Sequence, residues 1–308
     1  MNELWFEKYR PNTIKDYVFK SDSTRAQAEN WIKQGTLPHI LFFGPAGTGK
    51  TSLAKVLLNE LNVDQGDILE INASANNGVD YIRDTITNFV STMSFSGEAR
   101  YVLLDEADYL SPNAQAALRN LMEKYANSAR FIMTCNYPNK IIPALHSRTQ
   151  AFGIDTLEKQ DFIVRLAEII SAEEIEADIE TLEHFVNAFY PDMRKCINEI
   201  QLNSANKVLA LPSVEDSTAD YRIEMIALFK AKEYTQARRL ICKQIGADEY
   251  NDVYQFLYQN VDVWSENDPI KEKQVIITIA EGLRDHALVA NPELNLSATL
   301  CRLEQIVE

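Results

Sequence analysis

Two hydrophobic rhythms divide the chain. Over its first half, short apolar runs alternate with segments whose apolar residues recur at helical spacing, the pattern of a parallel sheet covered by helices. The runs His39 to Phe43, Asp67 to Asn72, Tyr101 to Leu104 and Arg130 to Thr134 predict strands, and a fainter one spans Gln150 to Ile154. Between them Leu53, Val56, Leu57 and Leu61 share one helical face. Tyr81, Ile82, Ile86, Phe89 and Val90 share a second, and Ala114, Ala117, Leu118, Leu121 and Met122 a third. After Ile154 the strand rhythm stops. Thr156 to Asn203 predicts short helices broken near Pro191, and Leu211-Pro212-Ser213 reads as a linker. From Asp220 to Glu308 every periodic segment is helical, as with Tyr254, Leu257, Tyr258 and Val261. The expectation is an α/β domain over 1–154, a small helical domain over 155–212 and a helical C-terminal domain over 213–308.

Composition adds exclusions. A chain of 308 residues, 46% of them hydrophobic, is long enough for two or three buried cores. No run approaches the roughly 18 apolar residues of a membrane helix, and the start of the chain lacks the basic-then-apolar pattern of a secretory signal. Cys135, Cys196, Cys242 and Cys301 are scattered without a Cys-x-x-Cys pair, which argues against zinc and for a reducing, cytoplasmic setting. The net charge of −15 argues against a protein that coats nucleic acid, though not against a local basic lining. Much of the acid lies between Asp155 and Glu183, as on a solvated helical surface.

The chemistry concentrates in two motifs. Gly44-Pro45-Ala46-Gly47-Thr48-Gly49-Lys50-Thr51 matches G-x-x-x-x-G-K-[ST] in full, after a strand and before a helix starting near Ser52. Such a loop curls its N–H groups around phosphate oxygens, while Lys50 reaches the β- and γ-phosphates and Thr51 coordinates Mg²⁺. In Tyr101-Val102-Leu103-Leu104-Asp105-Glu106 a buried strand ends in two carboxylates. Asp105 would hold the metal shell, and Glu106 would orient and deprotonate the attacking water. A base at this place points to hydrolysis of a nucleotide by water rather than to a kinase acting on a bound substrate.

A longer ordered set of segments resembles the AAA+ sliding-clamp loaders, the small subunits of replication factor C and the large subunit of tailed-phage loaders. Trp5-Phe6-Glu7-Lys8-Tyr9-Arg10-Pro11 resembles the box that covers the adenine and ribose, and Leu37-Pro38-His39-Ile40-Leu41-Phe42-Phe43-Gly44-Pro45 the entry to the phosphate loop. Leu69-Glu70-Ile71-Asn72-Ala73-Ser74, then Gly78 and the helix with Arg83, resembles the second strand and DNA-facing helix. The resemblance implies that Phe6, Glu7, Lys8, Tyr9, Arg10, Pro11 and Val18 join residues 44–52 in binding nucleotide. It implies a sensor at Asn136, an arginine finger at Arg148 in Leu145-His146-Ser147-Arg148-Thr149, and a second sensor at Arg194. Arg148, after the sensor strand, is expected on the far side of the sheet order from the phosphate loop. Thr149 stands where relatives carry Cys, Ala46 where many carry Pro, and Ala75-Asn76-Asn77 where a charged stretch is usual. The last departure leaves individual DNA contacts open, although Arg83 remains and could pair with a phosphate. Arg119, in Gln115-Ala116-Ala117-Leu118-Arg119, either acts across an interface or lies on a helix surface.

The implied fold is a P-loop AAA+ domain with a helical lid and an all-helical C-terminal collar. The implied function is loading of a ring-shaped polymerase clamp on primer–template DNA, in a pentamer of copies of this chain plus a distinct subunit, driven by ATP and Mg²⁺. The intact motifs speak against a structural subunit that does not hydrolyse, and the opening box and collar against a branch-migration motor or helicase loader. No membrane partner is expected. The location would be nuclear only in a eukaryote, and the compact length and the Ser-Arg-Thr variant lean toward a phage, hence host cytoplasm.

Overall fold

The computed structural model describes residues 4–94, 97, 99–212, 220–245, 250–265, 268–286 and 288–307. Ser213, the end of the expected linker, and the first residues of the third expected domain lie outside them. Two compact units emerge, one of residues 1–165 and 191–194, the other of 166–190 and 195–308.

The first unit carries five strands: β1 (Ile40–Phe43), β2 (Ile68–Asn72), β3 (Arg100–Asp105), β4 (Ala129–Cys135) and β5 (Gln150–Gly153). All pair in parallel in the order β2-β3-β4-β1-β5. Helices α1 (Trp5–Lys8), α2 (Asp22–Gln34), α3 (Lys50–Glu60), α4 (Val79–Ser91), α5 (Pro112–Lys124) and α6 (Pro143–His146) lie in the same unit.

The two-residue period of the strands sorts their side chains between two cores. Leu41, Ile71, Val102, Leu104, Phe131 and Met133 pack with Ile82 and Ile86 of α4 and Leu118 and Met122 of α5. Ile40, Phe42, Tyr101, Leu103 and Ile132 pack on the other side with Trp31 of α2 and Leu53, Leu57 and Leu58 of α3. Both faces are covered, which is why the strands are apolar almost throughout. The strand runs predicted from the sequence match to within a residue, and α3 begins at Lys50, slightly before the expected start.

A buried ionic cluster fastens the end of α4. Arg100, 5% exposed, donates to Phe89 O, Thr92 Oγ1 and Met93 O and lies beside Asp67, which is fully buried and accepts from Ser94 Oγ. Elsewhere in the same unit His39 lends its Nδ1 to the Phe131 N–H at 3.1 Å, and burial followed by the Arg130 charge holds its pKa below the ordinary histidine value.

Helices α7 (Lys159–Ala172), α8 (Ile179–Phe189) and α9 (Met193–Leu202) follow, with the helical pattern interrupted around Pro191 where the sequence places it. Then come α10 (Tyr221–Lys230), α11 (Tyr234–Gln244), α12 (Tyr250–Gln259), α13 (Val261–Ser265), α14 (Pro269–His286) and α15 (Pro292–Val307). In the second unit His184 of α8 donates from Nε2 to Ile223 O at 2.6 Å, and burial lowers its pKa. Phe229, Tyr234 and Trp264 form an aromatic cluster, with 3.8 Å between the Phe229 and Trp264 ring centroids. Helices α14 and α15 pack closely at Gly282, whose carbonyl accepts from Asn295 Nδ2 at 2.8 Å. No helix among the described residues is long and apolar enough to cross a membrane.

Candidate active site

Three neighbouring strands, β3, β4 and β1, end together, and their exits carry the polar residues that the buried sheet excludes. The loop from Gly44 to Gly49 leaves β1 and turns into the first turn of α3. Its first residue has φ +154°, and a Cβ there would stand 2.0 Å from Ile154 O, so only glycine fits this exit. Asp192 packs against Gly47, and the buried Tyr17 packs against Gly49, which brings the half-buried Val18 into the segment beside the loop.

Lys50 is 7% exposed, and its Nζ donates to Gly44 O at 2.9 Å and Pro45 O at 2.6 Å. Burial lowers its pKa, while the nearby carboxylates of Asp105, Asp108 and Glu106 pull the other way. The buried Cys135 thiol is pushed up to about 12, mainly by desolvation, so it remains a neutral core group. Thr48 Oγ1 donates to Pro45 O at 2.9 Å and stiffens the loop.

Thr51 Oγ1 donates to Asp105 Oδ1 at 2.7 Å, which brings the first turn of α3 and the strand-end carboxylate together. Thr134 of β4 donates to the same oxygen and accepts the Glu106 N–H at 3.0 Å. Glu106 itself has φ 57° and ψ 42°, a left-handed conformation rare outside glycine. Strained backbone of this kind persists where the surroundings over-determine it, and it accumulates at reactive positions.

Asn136 follows β4, and its N–H donates to Asp108 Oδ2 at 3.3 Å; the Tyr137 N–H donates to the same oxygen at 3.2 Å. Gln115, 2% exposed, donates to Leu110 O and Lys140 O and accepts from Ile142 N at 2.8 Å. Asp108, Thr134 and Gln115 are the residues that motif reading missed. Only the Asp-x-x-Asp spacing after the strand hints at the first; the other two are polar residues in otherwise apolar contexts.

The opening box forms α1 and the turn after it. Glu7 pairs with Arg10 at 3.0 Å, Lys8 Nζ lies 5.2 Å from the centre of the Tyr9 ring, and Arg165 donates to Tyr9 O at 3.1 Å. Phe6 and Pro11 are half-buried. The exposed Arg194 lies over the Phe6 ring at 5.9 Å. This brings the expected second sensor to the box, within the first unit.

Arg148 lies elsewhere. Its guanidinium bonds Ala144 O at 2.8 Å and pairs with Glu123 of α5. The sequence places it on the far side of the sheet order from the phosphate loop, and here the structure differs. Strand β5, which it precedes, is the immediate neighbour of β1. The separation runs along the strands instead. Gln150 pairs with Ile40 at the start of β1, whereas the loop leaves β1 after Phe43, so about 10 Å of extended chain separates the two levels. Arg119 donates to Asn120 Oδ1, and Arg83 pairs with Asp80 and Asp84 of its own helix.

A hydroxyl and a carboxylate converging beside a phosphate loop suit Mg²⁺, which takes one or two protein ligands and completes its shell with phosphate and water. The described residues contain no cluster of three or more His, Cys, Asp or Glu side chains that could hold a metal ion.

The chain is similar to known proteins over most of its length. Residues 40–155 match the model of the ATPase family associated with various cellular activities, AAA. The replication factor C small subunit of Saccharolobus solfataricus is 35% identical over 318 residues, covering 97% of this chain and 94% of that one. The same subunit of Staphylothermus marinus is 34% identical over 97% of this chain and 94% of its own length. That of Sulfurisphaera tokodaii is 42% identical over 65% of this chain and 62% of its own. A RuvB variant of Thermotoga maritima, 16% identical, superposes with a TM-score of 0.59 over 82% of this chain and 91% of that one, a likeness of fold alone. The chain therefore belongs to the replication factor C small-subunit family and is an AAA ATPase with a five-stranded parallel sheet and a helical C-terminal region.

Proposed function

We propose that this chain is the ATP-hydrolysing subunit of a sliding-clamp loader that opens a ring-shaped clamp and places it on primer–template DNA during replication. The observation that carries the reading is the convergence of Lys50, Thr51, Asp105, Glu106 and Asn136 at three adjacent strand exits, in a chain of the replication factor C small-subunit family.

In this reading the loop amides of residues 44–49 and the N-terminus of α3 cradle the phosphates. Lys50 exchanges its bonds to Gly44 O and Pro45 O for the β- and γ-phosphate oxygens, and Ser52 lies in the same helix turn. Thr51 and Asp105 would hold Mg²⁺, which neutralises charge developing on the phosphates. Glu106 accepts a proton from water through its carboxylate, and Asn136 orients that water or the γ-phosphate. Phe6 to Pro11 and Val18 cover the base and ribose, and Arg194 reaches the nucleotide from the lid.

Arg148 would complete a neighbour's site, since it lies at the wrong end of the strands for its own. Residues 155–212 would act as the lid and 213–308 as the collar. Ile270, Ile277 and Leu283 of α14 and Leu294 of α15 are exposed apolar side chains, which fits burial against neighbouring subunits. The assembly would be a pentamer of copies of this chain with one distinct subunit, in the cytoplasm, or in the nucleus of a eukaryote. DNA would be read by shape and phosphate contacts. The test is ATP turnover with clamp and primed DNA supplied separately and together. Stimulation by the pair beyond either alone is expected; a rate indifferent to both refutes the clamp-loader reading.

A further inference from the structure

Strands β3 and β4 keep a regular parallel ladder up to the pair Leu104 and Met133, and beyond it side chains take over. Thr134 ties the Glu106 amide to β4, and Asp108 ties the chain after β4 back to the turn that Glu106 begins. That turn, Ala107–Tyr109, is a single 3₁₀ turn in which Tyr109 N–H bonds Glu106 O at 3.0 Å. The two side chains cross the gap in opposite directions. Together they set the spacing of the two residues on either side of it, Glu106 and Asn136.

Asp108 is 7% exposed, and while its Oδ2 accepts two amides its Oδ1 is buried with no hydrogen-bond partner. A buried, half-satisfied carboxylate is a poor choice for stability alone, because the unpaired oxygen carries a desolvation cost with no compensating bond. What the carboxylate does supply is one acceptor that holds two consecutive N–H groups, which fixes the direction in which the Asn136 side chain leaves the backbone.

We propose that Asp108 is a positioning residue for ATP hydrolysis, which holds the backbone at Asn136 and Tyr137 and so keeps the Asn136 amide at a set distance from Glu106. The proposal rests on the reading of Glu106 as base and Asn136 as sensor. It places the control of that distance in a group that needs no contact with nucleotide.

A mutant cycle on the full chain tests it, with turnover measured beside equilibrium binding of a fluorescent ATP analogue and thermal melting. Asp108→Ala should lower kcat by about 10²-fold, the scale of a misplacement near 1 Å, with nucleotide affinity changed by less than about threefold. Asp108→Asn, which keeps an acceptor oxygen, should restore most of the rate. Asn136→Ala should be slow, and adding Asp108→Ala to it should slow it no more than about threefold, because the group that Asp108 positions is already gone. If the two losses multiply, Asp108 does not act through Asn136 and the proposal fails. It also fails if Asp108→Ala turns over normally while Asn136→Ala is slow. A normal rate for Asn136→Ala instead overturns the sensor reading itself. Should Asp108→Ala not fold, Asp108→Asn decides: a folded variant within about threefold of the wild-type rate supports the acceptor role, and one slowed about 10²-fold overturns it.

Discussion

Replacing Gly44 with alanine tests whether the exit of β1 is as crowded as the geometry makes it. A Cβ at this position would stand 2.0 Å from Ile154 O and 3.0 Å from its carbonyl carbon. Ordinary carbon–oxygen approaches are about 3.3–3.6 Å, so the overlap exceeds roughly 1 Å. The obstacle is backbone, held by the bond from Ile154 N to Phe43 O at 2.8 Å, and it cannot rotate away as a side chain would. Overpacking of this kind costs about 1–3 kcal/mol. The positive φ adds about 1–2 kcal/mol for an L-residue, for a total of about 2–5 kcal/mol.

Gly35 separates the two contributions. It caps α2 at φ +71°, and a methyl group there would find nothing within 4 Å, so Gly35→Ala carries the backbone cost alone. At about 2–4 °C per kcal/mol for a unit of this size, Gly44→Ala should melt about 2–12 °C below Gly35→Ala. Relief of the overlap moves the phosphate loop relative to β5, so ATP affinity should fall at least about tenfold in Gly44→Ala, the effect of about 1.4 kcal/mol, and stay near wild type in Gly35→Ala. Differential scanning calorimetry and titration with a fluorescent ATP analogue read the two effects. If Gly44→Ala melts no lower than Gly35→Ala and binds ATP normally, the steric reasoning is wrong.

Glu106→Gln should bind ATP and hydrolyse it at least about 10²-fold more slowly in single-turnover assays, since shape is kept and the base is lost. Arg148→Ala should leave ATP affinity of the isolated chain unchanged and lower turnover of the assembly. Mixing it with Lys50→Ala chains should restore part of that turnover, and co-assembly without recovery would rule out action in trans. Gly282→Ala should destabilise the second unit by about 1–3 kcal/mol, because the new methyl meets Thr299 Oγ1 at 2.4 Å and Tyr254 Cε1 at 2.8 Å. Better helix propensity returns only about 1 kcal/mol of that, so a raised melting temperature would refute the packing argument. Thermal stability should decline as pH falls below about 6.5. His39 and His184 both have lowered folded pKa values, so between those values and the ordinary one only the unfolded chain takes up their protons. Replacing both by glutamine should flatten the decline, and an unchanged slope would assign it to other groups.

The parts of the site carried by contiguous residues were legible in the sequence. Gly44 to Thr51 and Tyr101 to Glu106 are local patterns, and the alternation of Leu41 with Phe42 or Val102 with Leu103 already encodes two covered faces. What escaped depends on contacts between distant segments. The bond from Asp108 to the chain after β4 spans 28 residues, and Gln115 reaches Lys140 across 25. No periodicity announces such partners. The neighbours of β1 escaped for the same reason: the chain adds both, β4 and β5, only after β2 and β3 have been laid down, so chain order misplaced Arg148 across the sheet when it is offset along it. The left-handed turn at Glu106 was equally invisible, because glutamate has no preference for it and the surrounding bonds impose it.

Acting in trans, as proposed, Arg148 would give contacts between copies a direction through its offset from the phosphate loop. Where the donating and accepting patches share a face, a two-fold pair satisfies each with the other; where they lie on different faces, the contact is head-to-tail and each copy follows the last in the same sense. Repeated, such a contact closes into a ring only if its rotation divides a full turn, and otherwise climbs as a spiral with two unlike ends. At one end a phosphate loop has no arginine to meet, and at the other an arginine has no nucleotide. An open arrangement of identical active chains thus carries one site that differs from the rest by position alone, before any difference in sequence between subunits.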